Sequence, residues 1–174
     1  MNAAAVPPTG PASTPTRVYP APQLFIDGRW LSGEGRTTSA IVNPANGDWI
    51  GDLPHASDAD LARPLSAADR AFKSWSRRSA FERAQILRQA AQLLRERLDG
   101  IAAITTLEQG KPLQEARGEI AAAADVFDWF AEEGRRAYGR VVPSRAPEDV
   151  RYLVLRKPVG PVAALSPWNI PGLI

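Results

Sequence analysis

One segment near the end of the sequence places an amide side chain between two prolines. It reads Leu165-Ser166-Pro167-Trp168-Asn169-Ile170-Pro171 and follows a predicted strand, Val162 to Leu165. Open α/β sheets bind their ligands just beyond the carboxyl ends of strands, and an asparagine N–H can donate to an oxygen on which negative charge develops. A turn stiffened by proline explains the same residues, so the segment alone leaves both interpretations open.

Two other groups of residues could imitate a functional site. Glu115 and Glu119 are four residues apart on one predicted helix, which is a spacing that could pair two carboxylates. Because both lie outside the apolar stripe of that helix, we predict that both face solvent. Phe127, Trp129 and Phe130 could stack on a ring, but Phe127 and Phe130 are three apart on the apolar stripe. We therefore predict that they pack in the core.

The sequence contains no cysteine and one histidine, His55. These residues therefore form no disulfide framework, no cysteine-bearing metal site and no thiol nucleophile. His55 lies in a polar loop without a carboxylate nearby in sequence, so we predict an exposed loop histidine. No metal site is predicted.

Composition limits the class of protein. The chain has 174 residues, of which 44% are hydrophobic and 23% charged, as expected for one globular domain. Eighteen of the 21 basic residues are arginines interleaved with Asp and Glu, and the net charge is +2, which disfavours nucleic acid as a partner. Since no run of about 18 apolar residues occurs, no membrane span is predicted. The sequence is typical of a soluble, cytoplasmic protein.

The amino-terminal part combines a leader with two hairpins. Residues 1–22 contain six of the 16 prolines and one charge, which predicts a disordered Pro-rich leader. Asp27-Gly28 separates two short apolar runs and suits a type I′ turn. Asn46-Gly47 indicates a second hairpin.

Helix signals begin at Ser57. Ser57 with Asp60 resembles a capping box, although Pro64 should kink this helix or delay its start. A second helix starts at Ser79, with Glu82 three residues on.

Two more helices and three strands follow. Asp99-Gly100 interrupts the second helix and Ile101 to Glu108 forms a third, which Gly110 ends in the left-handed conformation. The fourth helix is predicted from Pro112 to about Tyr138. The predicted strands are Val141-Val142, Tyr152 to Leu155 and Val162 to Leu165. This order predicts an α/β protein that does not contain a complete doubly wound sheet.

Several motifs together resemble the amino-terminal third of the aldehyde dehydrogenase superfamily. The resemblance runs from Gln23 to Pro171. The motifs that carry it are Leu24 to Trp30, Asn43 to Gly47, Leu107 to Leu113, Lys157 to Gly160 and Ser166 to Asn169. Glu108 to Pro112 and Phe127 to Arg136 look most like the succinate-semialdehyde dehydrogenase branch.

The resemblance implies an architecture: β-hairpins, four helices, strands of an oligomerisation arm and the first strand of a cofactor-binding sheet that these residues leave incomplete. Residues 23–140 would form the hairpins and helices of the cofactor-binding domain. Residues 141–158 would form the arm, and residues 159–174 the first cofactor-domain strand and the Pro-Trp-Asn motif.

The resemblance also implies roles for the residues of that motif. Asn169 would donate its side-chain amide to the substrate oxyanion. Leu165, Ser166, Pro167 and Trp168 would line NAD or NADP. The family oxidises an aldehyde through a cysteine thiolate, which these residues lack, so we expect the chain alone to be inactive.

Two further interpretations stay open. Tyr152 to Leu155 would be an unpaired edge strand, which favours a non-catalytic helical module that binds a partner chain. Alternatively, a separately encoded half completes the enzyme.

The resemblance also implies a substrate and an assembly: the family would act on a small aldehyde, such as succinate semialdehyde, as a homo-oligomer. We also expect apolar helix stripes to remain uncovered, because the sheet on which they pack in the family is incomplete here.

Overall fold

The computed structural model describes residues 19–145 and 150–174. Within them, paired strands precede four helices, and one more strand pair follows. The elements are β1 (Leu24–Ile26), β2 (Arg29–Leu31), β3 (Thr38–Val42), β4 (Trp49–Pro54), α1 (Asp58–Trp75), α2 (Ala80–Glu96), α3 (Leu98–Gln109), α4 (Leu113–Glu133), a 3-10 turn (Gly134–Arg136), β5 (Arg140–Pro143) and β6 (Arg151–Val154). The α/β class and the hairpin–helix–strand order are confirmed.

Both amino-terminal hairpins form where the turn signals place them. β1 and β2 pair antiparallel across Asp27 and Gly28, whose φ angles are 53° and 75°. Two positive φ values in succession are the type I′ geometry, so that prediction is confirmed. β3 pairs antiparallel with β4. Of the predicted leader, residues 1–18 lie outside the described residues, while the Tyr19 hydroxyl donates to Glu108 at 3.1 Å.

Reciprocal capping fixes the starts of α1 and α2. Ser57 accepts from the backbone N–H of Asp60, whose carboxylate accepts from the Ser57 backbone. Ser79 and Glu82 repeat this arrangement at α2. Both predicted caps are confirmed. Pro64 does not delay the start of α1, which was one predicted outcome, because the capping box already fixes the first turn.

Asp60 also joins the capping box to the hairpins. Its buried carboxylate accepts from both terminal nitrogens of Arg36, in the loop before β3. The hydrogen bonds from Arg36 and Ser57 hold the pKa of Asp60 well below its ordinary value. The pKa of Asp60 is lower in the folded protein than in the unfolded chain, where it is 3.8, so the ionised carboxylate stabilises the folded state above pH 3.8. This stabilisation is lost as the pH falls below 3.8.

Asp60→Asn should therefore lower the midpoint temperature of thermal unfolding at pH 7. The midpoint of this variant should also fall less than that of the wild type when the pH is lowered to about 3. The measurement is far-UV ellipticity against temperature at both pH values. Asp58→Asn, an exposed carboxyl in the same helical turn, is the matched control and should keep the wild-type pH response. Identical behaviour of the two variants would contradict the role given to Asp60.

The core is a small-residue interface around α4, which packs against α2 and α3. Ile120 is its largest fully buried side chain. The other buried apolar residues of the helices are Ala84, Ala91, Ala102, Ala116, Ala123, Ala124 and Ala131. Arg95 of α2 adds ion pairs to Asp125 and Asp128 of α4, both at 2.7 Å. Small side chains let these helix axes approach closely, and the charges fix their alignment.

Helix boundaries differ from prediction at two places. α3 begins at Leu98, so Asp99-Gly100 lies inside its first turn and is not a break. Asp99 is favourable there because a carboxylate complements the positive end of the helix dipole. α4 ends at Glu133, about five residues before the predicted end, because Gly134–Arg136 tightens into a 3-10 turn. Gly110 ends α3 at φ 71°, as predicted.

Large apolar side chains remain exposed on two helices. Leu61 and Leu65 of α1 are 58% and 69% exposed. Phe127 and Phe130 of α4 are 37% and 58% exposed, so the prediction that they pack in the core is wrong for the described residues. Both rings line an open cleft with Leu87 of α2 and residues 172–174, and this cleft leaves them partly open to solvent.

The last strands pair with each other and with nothing else among the described residues. The strand predicted at Tyr152 to Leu155 forms as β6 and pairs antiparallel with β5 on one side, while its other edge is unpaired among the described residues. All eight side chains of this hairpin are exposed. The predicted strand Val162 to Leu165 is absent, because a strand requires a hydrogen-bonded neighbour and the described residues supply none. No helix in the described part of the chain is long and apolar enough to cross a bilayer.

Candidate active site

The Pro-Trp-Asn segment lies against the junction between α3 and α4. After an irregular stretch from residue 155 to 167, the chain bends at residues 168–170 and turns at residues 171–173. The turn is closed by the N–H of Leu173, which donates to the carbonyl of Ile170 at 3.0 Å. This arrangement brings Trp168 and Asn169 to the helix junction.

Three side chains of the junction hold the backbone of this segment. Gln109, the last residue of α3, donates through Nε2 to the carbonyl of Trp168. Lys111, in the connection to α4, donates through Nζ to the carbonyl of Asn169 at 3.3 Å. Glu119 of α4 accepts from the backbone N–H of Gly172 at 2.7 Å. We call Gln109, Lys111 and Glu119 the junction clamp.

The junction clamp contains a buried ion pair. Lys111 Nζ donates to Glu119 Oε2, while the other carboxylate oxygen of Glu119 takes the Gly172 N–H. The side chains of Glu119 and Lys111 are only 5% and 16% exposed. The prediction that Glu119 faces solvent is therefore wrong, whereas Glu115 is exposed as predicted.

The burial of Glu119 can be recognised from its spacing to alanines in the sequence. Glu119 follows Ala116 by three residues and precedes Ala123 by four, and both alanines are buried. Those are the spacings of one helical face, so Glu119 belongs to the buried stripe of α4.

Gly172 lies where a side chain would not fit. A β-carbon at this position would collide with Cδ1 of Ile120 and approach Oε1 of Glu119 to 3.2 Å. Ile120 is 1% exposed and has little room to move away. The absence of a side chain at Gly172 therefore lets the segment seat directly on α4.

The side chain of Asn169 is exposed and has no hydrogen-bond partner among residues 19–145 and 150–174. Its backbone is held while its amide stays available as a donor. Beside it, Trp168 forms one wall of an open cleft of about 420 Å³, which Glu108 and Gln109 also line.

Glu108 of this cleft accepts a hydrogen bond from Tyr19. Burial and the adjacent Glu108 carboxylate raise the pKa of Tyr19 to about 12, so Tyr19 remains a protonated donor to Glu108.

The residues predicted to contact a nicotinamide cofactor do not enclose one in the described part of the chain. Leu165 is 97% and Trp168 73% exposed, and Ser166 and Pro167 are exposed as well. A dinucleotide site needs a concave wall on more than one side. These four residues therefore do not hold the cofactor by themselves.

The histidine and the acidic residues that the structure describes provide no metal site. His55 is exposed, and its Nε2 lies 2.7 Å from the Ser39 hydroxyl. Across the residues described, no three His, Cys, Asp or Glu side chains are grouped so that they could hold a metal ion.

Comparison with known proteins assigns the chain to a class. The model of the aldehyde dehydrogenase family matches residues 30–174. The chain belongs to the aldehyde dehydrogenase family, as its motifs predicted.

Relatives within the family include enzymes named for semialdehydes. Glutarate-semialdehyde dehydrogenase of Pseudomonas putida is 44% identical over 86% of this chain and 31% of its own length. The NADP(+) succinate-semialdehyde dehydrogenase of Escherichia coli is also 44% identical over the same shares. A crystal structure of succinate-semialdehyde dehydrogenase from Burkholderia pseudomallei superposes with a TM-score of 0.83 at 38% identity, covering 92% of this chain and 33% of that one. The chain thus spans about a third of the length of these relatives.

Proposed function

We propose that this chain supplies the amino-terminal portion of an NAD- or NADP-dependent dehydrogenase that oxidises a small semialdehyde to the carboxylic acid. The single observation that carries the proposal is the Pro-Trp-Asn segment seated on the α3–α4 junction with the Asn169 amide free. The substrate class rests on the glutarate- and succinate-semialdehyde dehydrogenases at 44% identity.

Within this activity the chain's own contribution is a hydrogen-bond donor. Attack of a nucleophile on an aldehyde carbonyl places negative charge on the oxygen, and a fixed N–H donor stabilises that charge more in the transition state than in the ground state. We assign this role to the Asn169 side chain. Ser166, Pro167, Trp168 and Leu165 would form one wall of the NAD or NADP site. The cofactor accepts hydride when bound.

A hybrid protein tests the proposal. Residues 1–174 are joined to the remainder of the Pseudomonas putida glutarate-semialdehyde dehydrogenase, and NADH or NADPH formation is followed with glutarate and succinate semialdehydes. We expect the hybrid to turn over aldehyde, and the 174-residue chain alone to form no NADH or NADPH because it has no cysteine. The remainder of the relative alone is the control. Turnover by the isolated chain, or a folded hybrid without turnover, would contradict the proposal.

A second candidate role rests on the β5–β6 hairpin. Its side chains are all exposed, including Val141, Tyr152 and Leu153 at 62%, 56% and 67%. A two-stranded hairpin is marginal in water unless it packs on something. We propose that this hairpin is a contact between copies of the whole protein. Sedimentation of the hybrid should show an oligomer, and a monomer would contradict this role.

A further inference from the structure

We propose that the junction clamp of Gln109, Lys111 and Glu119 positions Asn169 for oxyanion stabilisation. This inference rests on the proposed function, because it assigns to the clamp a part in the same step. The three side chains bind no substrate in this assignment. They are positioning residues that act through the backbone on both sides of Asn169.

The contacts of the junction clamp reach backbone groups at and near Asn169 and leave its side-chain amide without a contact from the clamp. Gln109 holds the carbonyl of the preceding residue, Lys111 holds the carbonyl of Asn169 itself, and Glu119 holds the N–H of Gly172 three residues later. Three tethers on a five-residue stretch leave its backbone little freedom. The side chain of Asn169 is then the part of the segment that can face a ligand.

An oxyanion donor must be held within about 0.5 Å of its productive position. The junction clamp provides the fixed support that this tolerance requires.

The chemistry of the clamp also favours positioning over stability. Burying a lysine and a glutamate costs desolvation energy that their attraction barely repays, so a buried ion pair is weak evidence for a stabilising role. Here Lys111 neutralises Glu119, and the carboxylate remains free to make a charge-assisted hydrogen bond to Gly172. Because of this ion pair, Glu119 offers the Pro-Trp-Asn segment a strong hydrogen-bond acceptor at a helix interface whose other buried side chains are mostly apolar.

Glu119→Ala in the hybrid tests the inference. We expect kcat to fall about tenfold to a hundredfold, with KM for the semialdehyde nearly unchanged, because small misplacement of a catalytic group has effects of this size. Glu119→Gln keeps an acceptor for Gly172 and should recover part of the loss. Glu115→Ala removes an exposed carboxylate one turn earlier on α4 and is the matched control with wild-type kcat.

A double-variant cycle separates positioning from general stability. If Glu119 acts through Asn169, Glu119→Ala should have little further effect on kcat in an Asn169→Ala background. An equal fall in both backgrounds would overturn the inference while leaving the proposed function intact. No effect of Asn169→Ala by itself would instead overturn the role of Asn169 in the proposed function.

Hydrogen exchange in the hybrid gives a readout independent of activity. The Gly172 amide should lose protection at least about tenfold in Glu119→Ala and keep it in Glu115→Ala. Unchanged protection of Gly172 in Glu119→Ala would contradict the clamp. Where Glu119→Ala does not fold, Glu119→Gln serves instead: it keeps an acceptor and should keep the protection of Gly172, and loss of that protection would contradict the clamp.

Discussion

The 174-residue chain alone should be helical but loosely packed, with strong binding of a hydrophobic dye and a tendency to associate. Leu61, Leu65, Phe127 and Phe130 are all more than a third exposed. Because these side chains are 37–69% exposed, they forfeit roughly 3–7 kcal/mol in all, at about 1.5–3 kcal/mol for a side chain that is fully uncovered, which approaches the net stability of a whole domain. In the hybrid the same side chains should be covered, so dye binding should disappear.

The measurement is dye fluorescence and sedimentation of the chain beside the hybrid, with far-UV ellipticity as a check on helix content. Leu65→Gln and Phe130→Gln in the isolated chain should lower dye fluorescence without loss of helix, since both positions are exposed. A monodisperse monomer that melts in one sharp transition and binds no dye would show that the chain closes its own core.

Asn169→Ala in the hybrid should lower kcat by about 10²–10³-fold, equivalent to about 2.7–4 kcal/mol of lost transition-state stabilisation. The KM for the semialdehyde should change little, because the hydrogen bond strengthens as charge develops on the oxygen. Steady-state kinetics with saturating cofactor give both values. Gln114→Ala removes an exposed amide on α4 and serves as the control. An unchanged kcat in Asn169→Ala would remove this residue from the mechanism.

Features set by neighbouring residues were predictable from the sequence. The Asp27-Gly28 turn, the capping boxes at Ser57 and Ser79 and the left-handed end at Gly110 each depend on a few consecutive residues. Their backbone geometry follows from side-chain size and hydrogen-bonding capacity, which the sequence states directly.

Features that depend on distant partners were not predictable in the same way. Glu119 is buried by Lys111, eight residues before it, and by Gly172, 53 residues after it. Periodicity identified the apolar stripe that Phe127 and Phe130 share with the buried alanines, but not how completely the other described elements would cover it. Coverage at Phe127 and Phe130 depends on Leu87 and on residues 172–174, which are distant in sequence and leave an open cleft.

The candidate site combines residues that the sequence indicates with residues that it does not. Its Asn169 and Trp168 stand out in the sequence by their place between prolines and by the motif they share with the family. The junction clamp does not, because Gln109 and Lys111 act on backbone groups 59 and 58 residues away. Contacts of that separation are set by the packing of α3 on α4, which no local pattern specifies.

A crystal of the hybrid with the bound acid product would show directly whether Asn169 is the oxyanion donor. A carboxylate oxygen of the product stands in for the oxyanion of the reacting aldehyde. We expect Asn169 Nδ2 to lie about 2.7–3.1 Å from that oxygen, with Glu119 still bound to the Gly172 N–H. An Asn169 amide turned away from the product, or more than about 3.5 Å from it, would contradict the role of Asn169.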